Sequence, residues 1–138
     1  MNERLQGLRS IVIPLVDPTA DEVFPLWRAP MACDLIAIYV ITRTAFTANS
    51  TDFLVMTFQD GGQVPKYAAT PTIAARGAAS TAWVADSVYQ VSNSTFTSSA
   101  PWPLDSGDVV KEDWNETGTV ALIHSVQFDW VPGQRGAT

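Results

Sequence analysis

Charge is scarce in this sequence of 138 residues: Asp, Glu, Lys and Arg make up 16% of it, against about 25% in ordinary soluble domains. Much of the surface must therefore be neutral, as on flat sheet faces or faces covered by other subunits. The eight basic residues are scattered and fourteen acidic ones give a formal net charge of -6. A phosphate backbone needs clustered Lys and Arg, so nucleic acid is excluded as a partner. The single cysteine, Cys33, excludes an internal disulfide and a thiolate metal site. Its setting, MACDLIAIYVI, is that of a small buried hydrophobe. The single histidine, His124, is too few for a cupin-like metal centre. No apolar run approaches the roughly 18 residues of a membrane helix. MNERLQGLRSIVIPLV lacks the long apolar stretch and cleavage site of a signal peptide, so synthesis in a cytosol is expected.

Helical periodicity is also lacking. Thr19 and Glu22 have capping-box spacing, but Pro25 limits any helix there to one turn. TPTIAARGAAS (70–80) is a second, weak candidate with little to bury. Strand signals dominate. SIVIPLV (10–16) is β-branched, with Pro14 suggesting an edge. LIAIYVITRT (35–44) and DFLVMTF (52–58) are near-continuous apolar runs, as in strands buried on both sides. TAWVAD (81–86), SVYQVS (87–92) and DVVKEDW (108–114) are shorter and mixed. VALIHSVQFDWV (120–131) alternates most clearly, with Val120, Leu122, His124, Val126, Phe128 and Trp130 on one face. Turn clusters separate these runs, among them Asp60-Gly61-Gly62 and the Asn-x-Ser/Thr triplets at Asn49, Asn93 and Asn115. One domain spanning 1–138 is expected, with residues 1–8 as an arm and 132–138 as a tail. Its class is all-β, an antiparallel β-sandwich with very little helix. The expected core contains Leu35, Ile38, Val40, Phe53, Val55, Phe58, Val120, Leu122, Val126 and Phe128.

The one concentration of charge is PLDSGDVVKEDWNETG, with Asp105, Asp108, Glu112, Asp113 and Glu116 just upstream of His124. Calcium takes six to eight oxygens, but this spacing matches no calcium loop and alternation splits Glu112 from Asp113. Asp105, Ser106 and Gly107 make a turn into a strand, and the carboxylates beyond it read as its solvated face. No G-x-S-x-G elbow accompanies His124. No nucleophile, base and orienter can be assembled, so neither a catalytic nor a metal-binding residue is assigned and no cofactor is expected. Paired carboxylates for glycoside hydrolysis stay open, because their separation in space is not readable from sequence.

Of five tryptophans, Trp27, Trp83 and Trp130 sit in apolar strand contexts and read as packed. Trp102 in APWPL and Trp114 in EDWNE have polar surroundings and read as exposed, as at a protein contact. The segments around Trp83 and Trp102, with strand 9–16, are the expected subunit contacts. Arg4, Arg9, Trp83, Trp102 and Trp114 are the candidate partner-contact residues.

Four segments in order resemble the small jelly-roll virion proteins of bacteriophages. They are APMACDLIAIYV (29–40), TANSTDFLVMTF (47–58), SGDVV (106–110) and ETGTVALIHSVQF (116–128). The resemblance covers most of residues 23 to 131. It implies jelly-roll connections and a non-enzymatic homotrimer of the capsid decoration (cement) or fibre-head type. It also implies a place on the outer capsid surface, with the major capsid protein as partner. The alternative is a receptor- or carbohydrate-binding jelly-roll module of a tail or head fibre.

Overall fold

The computed structural model describes residues 7–15, 21–47, 51–60, 82–91 and 101–132, the side chains of 53, 55, 59, 60 and 82 excepted. Strands β1 (Arg9–Leu15), β2 (Glu22–Arg28), β3 (Cys33–Thr42), β4 (Phe46–Thr47) and β5 (Phe53–Asp60) occupy the first half. Strands β6 (Ala82–Trp83), β7 (Ser87–Val91), β8 (Trp102–Leu104), β9 (Val109–Thr117) and β10 (His124–Pro132) follow. There is no helix among the described residues.

One sheet has the order β1-β10-β3-β7, with β8 also on β3; a second has the order β2-β9-β5; β4 and β6 form a short ribbon. All pairings are antiparallel. The pairing is nested, the first strand lying on the last and the second on the one before it. The two main sheets enclose one core, a β-sandwich as the strand pattern requires.

Alternation explains which side chains fill it. On β10, His124, Val126, Phe128 and Trp130 point inward, and Val120 and Leu122 continue that face before the strand starts. The strand begins four residues later than the pattern suggests because loop bonds hold the approach: Thr119 N donates to Asp52 Oδ1 (2.8 Å) and Ile123 N to Thr44 Oγ1 (2.9 Å). On β3, Leu35, Ile38 and Val40 are buried inward, while Ile36 and Ala37 are buried on the other face. That two-sided burial accounts for its unbroken apolar run. On β5 the buried residues are Leu54, Met56 and Phe58. Phe53 and Val55, expected in the core, have the opposite parity, and their side chains lie outside the described set. Full burial of one such side chain contributes about 1.5–3 kcal/mol, so the interior carries most of the stability.

The expected helical turn near Glu22 is corrected: Glu22 opens β2. Phe24 and Trp27 pack against the core, and Pro25 sits at the open edge of its sheet, where the register on β9 shifts between Pro25 and Trp27. An edge tolerates the missing N–H there. Thr19, the 70–80 segment, Arg4 with residues 1–6, and the tail beyond Pro132 lie outside the described residues.

Candidate functional site

The acidic stretch begins with a tight turn. Asp105 N donates to Asp108 Oδ2 (2.8 Å) and Asp108 N to the Asp105 carbonyl (3.0 Å). Gly107 has φ +90° and its N–H donates to the Ala29 carbonyl, while Ala29 N donates to that of Asp108, each at 2.8 Å. This is the expected turn into a strand, clamped to the end of β2.

Beyond it the carboxylates part company. Asp113 lies opposite Val23 and Thr57 on the outer face of the three-stranded sheet. Glu116 Oε1 accepts from Trp114 Nε1 (3.4 Å) and Oε2 from Val120 N (3.2 Å). Glu112, expected on the solvated face, is instead fully buried, at 0% exposure. Among the described residues no three His, Cys, Asp or Glu side chains gather where one metal ion could be held.

Glu112 meets His124. His124 Nε2 lies 3.0 Å from Glu112 Oε1 and 3.2 Å from Oε2, and both side chains are at 0% exposure. An ionised Glu112 only accepts, and Nε2 is then the donor of the bond. Glu112 sits on β9 and His124 opens β10, so the bond crosses the core from one sheet to the other. The Trp114 ring stacks on the imidazole, centroids 5.3 Å apart and planes 22° apart. Their cross-strand neighbours are Phe24 and Phe58 for Glu112 and Leu15 and Thr42 for His124, none of them charged.

A histidine oriented by a carboxylate is two-thirds of a hydrolytic triad. Here the remaining nitrogen, Nδ1, is buried and has no hydrogen-bond partner among the described residues. The nearest hydroxyl by register, Thr42 on β3, is committed elsewhere, with Oγ1 donating to the Val84 and Ser87 carbonyls. The buried pair bonds the two sheets to each other across the core. The signal for it was available: Val110, Glu112 and Trp114 alternate with Lys111, Asp113 and Asn115 along β9. The partner, on another sheet, was not.

The tryptophans follow the same rule. Trp83, Trp102 and Trp114 are 1%, 2% and 0% exposed, which corrects the surface placement of Trp102 and Trp114. Strand parity, rather than the polarity of adjacent residues, sets the facing. Trp83 meets Tyr89 edge-on at 4.9 Å, and Trp102 lies opposite Leu35. As candidate contact residues these three have almost no ring surface to offer a partner. Trp27 stacks on Phe128 (5.6 Å, 23°) and tilts against Trp130 (5.4 Å). Arg9 is exposed at the start of β1, with its guanidinium carbon 5.3 Å from the Trp130 ring centroid. This cation–π contact leaves the charge facing solvent.

No protein-family model matches the chain, and no curated protein matches it. Among solved structures, one described as "Structure of infectious bursal disease virus Gx strain" is similar at 13% identity with a TM-score of 0.36. That alignment covers 88% of this chain and 32% of the other, so this chain spans about a third of that protein's length.

Proposed function

We propose that this chain is a virion subunit of a bacteriophage, which binds the outer surface of the capsid and stabilises the shell without catalysis. The observation that carries the reading is the complete burial of Glu112 and His124. The chain's one histidine and its nearest carboxylate bond to each other across the core, which supports a reading without catalysis. The four segments of the resemblance support it further. They fall on the approach to β3, on β4–β5, on the turn into β9, and on the passage from β9 to β10. The nested pairing of first strand with last is also the order that jelly-roll connections produce.

A stiff sandwich suits this work. A DNA-filled head is under internal pressure, and its weak lines are the junctions between capsomers. Linked copies bound across a junction act as a multivalent clamp, whose avidity exceeds any single contact. The partner is the major capsid protein. Arg4 and Arg9 supply positive charge for acidic patches, on a chain whose formal net charge is -6.

The test is co-sedimentation with empty capsids that lack the protein. Saturable binding is expected, and no binding would contradict the proposal. Deleting residues 1–8 should weaken that binding several-fold while the strand-type circular dichroism spectrum and the melting transition persist. Unchanged binding would remove the N-terminal residues from the contact.

A further inference from the structure

We propose that the outer face of the β1-β10-β3-β7 sheet binds a neutral saccharide, centred on Tyr39. The inference goes beyond the capsid reading and does not depend on it.

Register places one row of side chains across all four strands: Val12 on β1, Gln127 on β10, Tyr39 on β3 and Gln90 on β7. The chain neighbours of Gln127 and Tyr39, which are Val126, Phe128, Ile38 and Val40, are fully buried in the core. The row therefore stands on the opposite face. Gln127 and Tyr39 are half-buried there, and Val12 and Gln90 are exposed. An aromatic ring is thus set between two amides. Neighbouring strands lie about 4.8 Å apart, so the two glutamines are about 10 Å apart, the length of a disaccharide.

One of the amides is held in place. Gln127 Nε2 donates to Asp129 Oδ1 (2.8 Å), and Ser10 Oγ donates to the same oxygen (2.6 Å). Gln127 keeps Oε1 as an acceptor and its second N–H as a donor. Among the described residues neither the Tyr39 hydroxyl nor the Gln90 amide has a hydrogen-bond partner. Polar groups already fixed on strands lose little freedom when a ligand binds.

Charge selects the ligand. From the row of Ser10 to that of Pro14, Asp129 is the one charged side chain on this face, and its Oδ1 takes both bonds just described. No Lys or Arg of these rows is there to hold a phosphate, sulfate or carboxylate, and a chain of formal charge -6 repels anions. A protein contact is built around a desolvated apolar centre. Here the exposed valines, Val12 (51%) and Val88 (61%), stand on the two outer strands, and the centre carries the amides and the phenol. A sugar ring matches that centre. Its C–H face packs on an aromatic ring, and its hydroxyls both donate and accept.

The full-length chain is titrated with maltotetraose, cellotetraose, tri-N-acetylchitotriose and lactose while amide shifts are followed by NMR. At least one should bind saturably with a Kd of about 1 mM or tighter, the range open to one stacked ring and a few hydrogen bonds. The shifts should centre on Gln127, Tyr39 and Gln90. Tyr39→Ala removes the ring and should weaken binding at least about tenfold, while Tyr39→Phe keeps the ring and should cost less. Gln127→Leu removes the oriented amide at similar size and should weaken binding several-fold. Both positions face away from the core, and a melting curve checks that each variant folds. Val23→Ser, on the outer face of the other sheet, should leave binding unchanged. So should raising the salt to about 0.5 M, which would screen a charged ligand. No saturable binding by any of these saccharides, or binding that Tyr39→Ala leaves unchanged, overturns the proposal. Loss of capsid binding in Tyr39→Ala, with no saccharide bound by the parent chain, also overturns it and makes the face a protein contact. Saccharide binding abolished by Tyr39→Ala while capsid binding persists supports it and separates the two readings.

Discussion

Glu112→Ala is expected to lower the unfolding free energy by about 3–5 kcal/mol, the cost of leaving one member of a buried pair without its partner. Both groups are sealed between the sheets, and their cross-strand neighbours are uncharged. No cross-strand neighbour carries a charge to replace the carboxylate, and His124 Nε2 loses both oxygens at once. The truncation also opens a cavity beside Phe24 and Phe58. For a domain of this size the melting temperature should fall by roughly 10–20 °C. Glu112→Gln keeps an acceptor oxygen and should cost less. The double variant Glu112→Met with His124→Phe replaces the pair by apolar groups of similar volume, the second able to stack on Trp114. It should be more stable than Glu112→Ala, because removing both partners leaves no orphaned polar group. Urea titrations of the single and double variants give the coupling energy directly. A cost under about 1 kcal/mol for Glu112→Ala would mean that the pair does not join the sheets.

The second large effect is expected at Gly118. It has φ +72°, a region where an L side chain costs about 1–2 kcal/mol. A Cβ there would also overlap the Thr51 carbonyl oxygen and Asp52 Oδ1. The overlap cannot be relieved cheaply, since one neighbour is backbone and the other accepts the Thr119 N–H. That bond ties the start of β5 to the link between β9 and β10. Gly118→Ala should therefore cost about 3 kcal/mol or more, the conformational term plus the displacement of this tie. Gly107 is the control. It also has positive φ, at +90°, but the nearest atoms a Cβ would meet belong to the Arg28 guanidinium, with Nη2 at 3.3 Å. A flexible side-chain end can move, so Gly107→Ala should show little beyond the conformational cost. Equal melting temperatures for the two variants would sink the steric account.

Those two positions show what the sequence could and could not convey. The inward face of β10 was legible because its alternation is unbroken from Val120 to Trp130 and mostly apolar. The burial of β3 was legible because its apolar run leaves no polar face. The turn at Asp105–Gly107 was legible because its chemistry is local. Glu112 and Trp114 were misplaced for a shared reason. Each obeys the period of β9, but residue type and polar neighbours argued for solvent, and the partner that makes a buried glutamate tolerable lies on another sheet. β2 was missed because Pro25 and a capping-box spacing point to a turn, while an edge position, invisible in one dimension, accommodates the proline. Interfaces are harder still. Which exposed apolar side chains meet a partner depends on what lies opposite, and of β1 the sequence shows only the strand and its proline.

The central claim is that the chain strengthens a shell from outside. Its most direct test is to heat particles assembled with and without the protein and to follow genome release by a dye that fluoresces on DNA. Particles that carry it should hold their genome to a higher temperature, and adding purified protein to deficient particles should restore that temperature. Equal release temperatures would contradict the claim, and if deficient particles also failed to adsorb to host cells, the receptor-binding reading would take its place.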